Sequence, residues 1–595
     1  ALPIYFMKII LTTLSVTALL MCSGCDMSPE DATTALHQLF EDEWEKGLKE
    51  HPESATYQGD DRYNDRLTDL SIDAIEKRHE DSDDLLKKLN KIPREQLSEP
   101  DKLNFDLYRK KLTRRLEGFQ YKGYLMPIDQ MGGVQINSPN LVNITPFRNQ
   151  TDFDNYLKRL EAVPVYVDQI IELMEKGLDE GFIQPKIILR SVPEQIKAQY
   201  NLEVEDSPFF KPFKEKLTAL PDSLHETYVL WGKEAVGNHI FGSFTKLDEF
   251  FSEEYLPSAR EDVGAMHFPN GEAYYAFQIE NYTTTKKSAE EIHRIGLNEV
   301  LRIRNEMDEV IAESGFQGGF KQFVEYLRTN PDFYYSTAEE LLEGYQAICK
   351  KADPELVKLF GVLPRMPYGV KPIPDYQAPA SPTAYYYSGS KEGNRPGYFW
   401  ANTYKIETRP KYEMEALSLH EAVPGHHLQI SLAQELENVP EFRKHGGFTA
   451  FTEGWGLYSE KLGEEMGFYQ DPYSKFGQLT YEMWRACRLV VDTGMHAFGW
   501  PREKAIKFML DNTAKTENDV TVEIDRYIAW PGQALAYKIG ELKIRELRQK
   551  AEDALGEQFN IRDFHDIVLG NGSIPLDLLE ENVNQHISSI LDVEG

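Results

Sequence analysis

Cysteine is scarce, with four in 595 residues, at positions 22, 25, 349 and 487. The first two belong to the N-terminal segment, and one remaining pair is no disulfide framework. Cys349 and Cys487 are therefore expected to be buried thiols. Positive charge is also short: 65 Lys and Arg stand against 97 Asp and Glu, a net charge of −32. That balance argues against nucleic acid as a partner. A Gly-rich phosphate loop and a dinucleotide fingerprint are both missing. Beyond residue 24 no apolar run approaches the length of a membrane span. What is present is ordinary for a globular protein, 41% hydrophobic and 27% charged. The length allows several domains and a large core.

The N-terminus reads as an export signal. Met7-Lys8 opens a short basic region, with residues 1–6 ahead of that plausible start, and residues 9–21 form an apolar run too short for a comfortable span. Cys22-Ser23-Gly24-Cys25 follows. Small residues before a Cys suggest a lipoprotein signal over 1–24, with Cys25 the lipidated first residue. Acyl chains would hold the protein on a membrane surface without spanning it. Cys22 stands where such signals usually carry Leu, so processing without a lipid is the other reading.

From 25 to 265 the chain reads as a helical scaffold. Helical spacing of apolar residues runs over 36–48, 70–89, 103–116, 156–174 and 224–250. From 266 to 595 lies the region that carries chemistry, expected to form one continuous fold with the first. Strand signals occur at 273–279, 384–387 and 398–404, with helices over 288–314 and 337–351 between them. The run 398–404 could offer its edge to an extended peptide or be a plain sheet strand. Asn402 lies in it and is a candidate substrate contact.

The densest chemistry is His420-Glu421-Ala422-Val423-Pro424-Gly425-His426-His427. Zinc peptidases commonly use H-E-x-x-H on a helix, with both His on one face and the Glu as general base. Here Pro424 occupies the second His position. On an unbroken helix His427 would point within about 20° of His420, but about 10.5 Å further along the axis. That is too far for imidazoles sharing one zinc at about 2.0–2.1 Å. Pro424 and Gly425 break the helix. If they loop out as two extra residues, His426 returns to the usual place of the second ligand. His420 and His426 are the expected pair, with His427 as alternative. The bland reading is a His-rich helix end without metal.

Downstream, Glu453 sits in Ala450-Phe451-Thr452-Glu453-Gly454-Trp455 among apolar residues. A carboxylate there is costly to bury unless paired or metal-bound. His420, His426 and Glu453 would leave one zinc position for water. Glu460, seven residues on, reads as a solvated or outer-sphere carboxylate. The helix over 476–496 carries Arg485, Arg488, Asp492 and His496 as a polar stripe among apolar residues, either a solvated face or a buried network. Tyr527 is the candidate donor to a developing oxyanion. Arg526 and Lys538 are candidates for a substrate carboxylate.

Three runs carry a resemblance: His420 to His426, Thr452-Glu453-Gly454-Trp455, and the stretch from Tyr527 through Trp530-Pro531-Gly532 to Gly540. They resemble the DUF885 family, bacterial proteins that are often lipoproteins and are grouped with the gluzincin metallopeptidases. The likeness covers most of the mature chain and is densest from about 270 to 590. It implies a mainly α, zincin-like (gluzincin) fold with a small β-sheet and a central cleft. Peptidase-like chemistry is implied with it, but no particular substrate. The family's Pro-Gly-His pattern favours His426 over His427.

The expected activity is hydrolysis of short peptides with Zn2+ on His420, His426 and Glu453 and with Glu421 as general base. A peptide-binding lipoprotein with a degenerate site, and a hydrolase of another amide, are the alternatives.

Overall fold

In a computed structural model, residues 27–374, 378, 381–390 and 394–592 are described. The signal segment and Cys25 lie outside them. The described chain is mainly helical with one three-stranded sheet. No helix in it is long and apolar enough to cross a membrane.

The elements that frame the site are numbered here in chain order. Helix α1 is Gln150–Glu180. Helices α2 (Gly271–Thr283), α3 (Ala289–Glu313) and α4 (Ala338–Ala352) precede the sheet. Strands β1 (Tyr368–Pro372), β2 (Ala384–Tyr387) and β3 (Gly397–Ala401) form it. Then come α5 (Met414–Glu421), α6 (His426–Gln434), α7 (Thr449–Leu462), α8 (Pro472–His496), α9 (Glu517–Ala529) and α10 (Ala536–Leu555).

Local chemistry sets several of these boundaries. Ser288 with Glu291, and Thr337 with Glu340, form reciprocal capping boxes at α3 and α4. Asp471 accepts from the backbone N–H groups of Tyr473 and Ser474 to start α8.

Helix α8 is buried along nearly its whole length, as a helix at the centre of a large protein must be. It divides two apolar cores. The first joins Phe153 and Val167 of α1 and Phe244 to Ile303, Phe323 and Val490. The second gathers Tyr345, Phe399, Leu419, Trp455 and Ile539. Met483 and Val490 of α8 face the first, Tyr481 and Leu489 the second. Gly296 lets α3 approach closely, because a Cβ there would lie 2.7 Å from the Leu489 Cβ. Cys349 and Cys487 are buried free thiols.

Two strand expectations need correcting. Residues 273–279 lie within helix α2. Their aromatic content suggested a strand, but Gly271, Tyr275, Ile279 and Thr283 are the buried ones. That spacing of four is a helical face, and burial of it decided the conformation. Strand β3 is also not an edge. The sheet order is β1-β3-β2, with β1 parallel and β2 antiparallel to β3. Its backbone is taken on both sides and cannot pair with a peptide. Strand β1 escaped the sequence reading because Gly369 and Pro372 lie in it, and Pro is tolerated at a sheet edge.

Candidate metal centre

Helix α5 ends at Glu421, and α6 begins at His426. Between them Ala422 and Gly425 take backbone angles outside the helical region, and the Val423–Pro424 bond is cis. The four-residue break is a tight fold-back. A Cβ on Gly425 would stand 1.9 Å from the His420 carbonyl oxygen, so only Gly fits. Trp455 on α7 donates its indole N–H to the Pro424 carbonyl at 2.8 Å, tying the break to the helix that carries Glu453.

The break sets His426 beside His420, with ring centroids 4.6 Å apart and nearly perpendicular. Glu453 Oε2 lies 3.6 Å from His420 Nε2 and 3.5 Å from His426 Nε2. One ligand atom from each of the three residues falls within 4.8 Å of the others, a grouping that could hold a metal ion. Tetrahedral ligands at 2.0–2.1 Å from a zinc lie about 3.4 Å from one another, so the spacing fits. The donor set also fits, being two imidazoles and a carboxylate.

Electrostatics follow from the crowding. Burial alone would lower His420, but hydrogen bonding to Glu453 and Glu460 outweighs it and pushes the imidazole up to about 9. Burial likewise opposes ionisation of Glu453, yet His420 and His426 hold it well below the usual carboxylate range.

Glu460 is fully buried, and its Oε1 lies 2.8 Å from His420 Nδ1. With Nδ1 held by that carboxylate, the ring presents Nε2 toward Glu453, which is how an outer carboxylate orients a ligating His. Arg485 Nη2 stands 3.3 Å from the same oxygen. A Cβ on Gly456 would meet the His420 ring at 2.7 Å, so its absence lets the ring lie on α7. Glu421 is 8% exposed and makes no hydrogen bond or ion pair with a described residue.

His427 points elsewhere. Its Nε2 meets the Met366 carbonyl at 3.0 Å and its Nδ1 the Tyr386 hydroxyl at 2.9 Å. Burial lowers it to about 4. It ties α6 to the sheet and is absent from the three-residue grouping.

The other candidates sit as follows. Tyr527 is buried, and its hydroxyl accepts from Trp484 Nε1 at 2.9 Å and Arg488 Nε at 2.7 Å. It belongs to the buried polar stripe, and no described contact joins it to His420, His426 or Glu453. Arg526 shares its guanidinium among Gln533, Tyr537 and Glu523 and keeps some exposure. Lys538 is wholly buried, within 3.1 Å of Glu299, Glu482 and Glu541. No surface is left on it for a substrate, because its face of α10 packs inward against α3 and α8. Asn402 is also buried. Its amide donates to the carbonyls of Ala378, Ser381 and Pro382, and its Oδ1 accepts from the Tyr404 N–H. That pins a loop and replaces the substrate role expected of it.

The polar stripe on α8 is a buried network. Arg488 pairs with Glu523 at 3.0 Å, Asp492 accepts from the Tyr275 hydroxyl at 2.6 Å, and His496 meets the Tyr527 carbonyl at 3.0 Å. Only Arg485 reaches the His-Glu cluster. The sequence reading missed the clasp made by Trp455 and the steric roles of Gly425 and Gly456. It left Glu460 open, although seven residues from Glu453 is two helical turns on one face.

These features define a mainly α-helical protein whose central helices carry a His-His-Glu cluster spaced for a metal ion. The chain belongs to the family described as bacterial protein of unknown function (DUF885), whose model it matches over residues 52–583. It is similar to the "putative lipoprotein" from Colwellia psychrerythraea, with a TM-score of 0.90 and 29% identity over 95% of this chain and 100% of that one. A protein of Shewanella oneidensis, described in the same words and as of unknown function, shares the fold. Its TM-score is 0.68 and its identity 17%, over 92% of this chain and 99% of that one. Among curated proteins nothing matches.

Proposed function

We propose that this protein is a zinc-dependent peptidase with a zincin-like helical fold. The observation that carries the reading is the convergence of His420 Nε2, His426 Nε2 and Glu453 Oε2 from three helices, next in sequence to a glutamate, Glu421, that has no partner among the described residues. A zinc ion held there would supply Lewis acidity toward a peptide carbonyl and bring the pKa of water to about 7.

The chain's own residues have separable parts. His420, His426 and Glu453 would hold the ion. Glu460 fixes the His420 tautomer, and Arg485 steadies Glu460. Glu421 follows His420 directly, and no salt bridge or hydrogen bond with a described residue occupies its carboxylate. It takes the proton from the attacking water and returns it to the leaving amine. Among the described residues only His426 and Glu453 of the three ligands keep appreciable side-chain exposure, 12% and 19%, so solvent and substrate approach from their side.

An envelope location is part of the proposal. The two similar proteins are each described as a "putative lipoprotein", and in the sequence Cys25 is the residue that would carry acyl chains holding such a protein on a membrane surface.

Metal analysis of the purified chain, combined with a peptide-library cleavage screen, tests the reading. The expected result is one zinc per chain and cleavage that a chelator stops and zinc restores. Absence of both zinc uptake and chelator-sensitive cleavage overturns it.

A further inference from the structure

Helix α6, which begins at His426, borders a cavity of about 250 Å³. Thr452, the residue before Glu453 on α7, lines the same cavity. Gln429 lines it too, one turn beyond His426 on the same side of α6. Gln429 is 3% exposed, and its Oε1 has no hydrogen-bond partner among the described residues. Its Nε2 makes no described hydrogen bond either. Buried side-chain amides are normally paired. The two free N–H donors of its Nε2, on the wall of a cavity, point to an acceptor group the cavity takes in.

The charge of the wall says which group. The chain as a whole carries −32. Yet the cavity wall contains Arg395 and Lys444 and, among the described residues, no Asp or Glu. Lys444 is held by Glu441 at 2.7 Å. Arg395 is not matched by a carboxylate among the described residues. It rests against the Tyr57 and Tyr387 rings, donates to the Tyr57 carbonyl at 3.3 Å, and its Nε has no described partner. The turn Gly446-Gly447, which leads into α7, forms part of the wall. The positive end of that helix therefore lies beside the cavity.

We propose that this cavity is a substrate subsite for a carboxylate, recognised by the Gln429 amide and the Arg395 guanidinium next to the point of cleavage. The inference rests on the peptidase reading above, which places a peptide at the three ligands. The carboxylate has two sources, an Asp or Glu side chain near the scissile bond or the free C-terminus of a short peptide. Both present two oxygens to N–H donors.

The test uses the full chain loaded with zinc and carrying Glu421→Gln, so that peptides bind without turnover. Matched peptides carry Glu or Gln at successive positions, with a free or an amidated C-terminus. Tenfold or tighter binding of the Glu form at one position assigns a side-chain carboxylate. The same preference for the free over the amidated terminus assigns the terminal one. Adding Arg395→Gln or Gln429→Leu should reduce that preference to about twofold or less. Equal binding of all four peptide forms overturns the inference. So does a preference that survives both substitutions. Binding is read apart from turnover. Chelator-sensitive cleavage without acid preference removes the subsite and keeps the peptidase, whereas acid-selective binding with no cleavage by the unsubstituted chain keeps the subsite and removes the peptidase.

Discussion

Two buried charge clusters touch α8, one through Glu482 and one through Arg485, and they differ in what they leave over. Around Lys538, the ammonium meets Glu299, Glu482 and Glu541, and Arg302 adds a second cation bridging Glu299 and Glu482. Carboxylates and cations answer one another, and the cluster has little capacity left for a ligand. Around His420 the balance is different. Two imidazole nitrogens share one carboxylate oxygen, Glu453 Oε2, at 3.5–3.6 Å. Burial of charge is common to both. Function is suggested where possible ligand atoms from three helices converge on one point instead of being matched by a fixed cation.

The predictions test that contrast. The largest effect is expected on turnover. Glu421→Gln should lower kcat by about 10²–10⁴-fold while zinc content and thermal midpoint stay as they were. Unchanged kcat removes the residue from the mechanism.

Lys538→Met should do the opposite. It leaves buried carboxylates unbalanced, at about 3–5 kcal/mol of folding stability, measured by denaturant unfolding. Zinc stoichiometry of the folded fraction should not change. Loss of metal at full stability would merge the two clusters into one.

Asp492 gives a pH signature to the buried network further along α8. Burial pushes its carboxyl up to about 7, against hydrogen bonds from Tyr275 and Gly532. The raised folded value means that the unfolded chain releases this proton first as pH rises. The group's contribution is full below about pH 4 and is lost as pH rises to 7, by roughly 2–4 kcal/mol. Asp492→Asn should flatten that part of the stability–pH curve. An identical slope in both proteins would show that the carboxyl titrates normally.

The smallest effect is expected at Glu460→Gln. An orienting carboxylate on a ligating His is worth about 10–100-fold in metal affinity. Competition with a chelator should show a weaker site in a protein of nearly normal fold. Unchanged affinity would reduce Glu460 to a packing residue.

Much of the helical framework was legible beforehand. Apolar spacing over 156–174 and 337–351 anticipates α1 and α4, although α1 extends well past the apolar run at both ends. The run 273–279 was misread because a tyrosine-rich stretch has strand propensity, and only burial at every fourth residue overrides it. At the site, residue types with ligand chemistry could be picked out from the motif. Lys538 could not be separated from a substrate contact, since a lysine on an amphipathic helix looks the same whether it faces water or three glutamates.

The order of residues alone supplied the His-Glu-x-x-Pro-Gly-His-His run, a carboxylate 33 positions after its first His, and the long amphipathic helices to carry them. Those are local properties, set by side-chain chemistry and by what Pro and Gly do to a helix. Packing decided the rest. It set His426, and not His427, beside His420 and Glu453, because the direction of a side chain after a helix break depends on where Gly425 and Trp455 hold the backbone. It also put β3 in the middle of its sheet and Lys538 inside the core, since strand order and the inward face of a helix depend on partners far away along the chain.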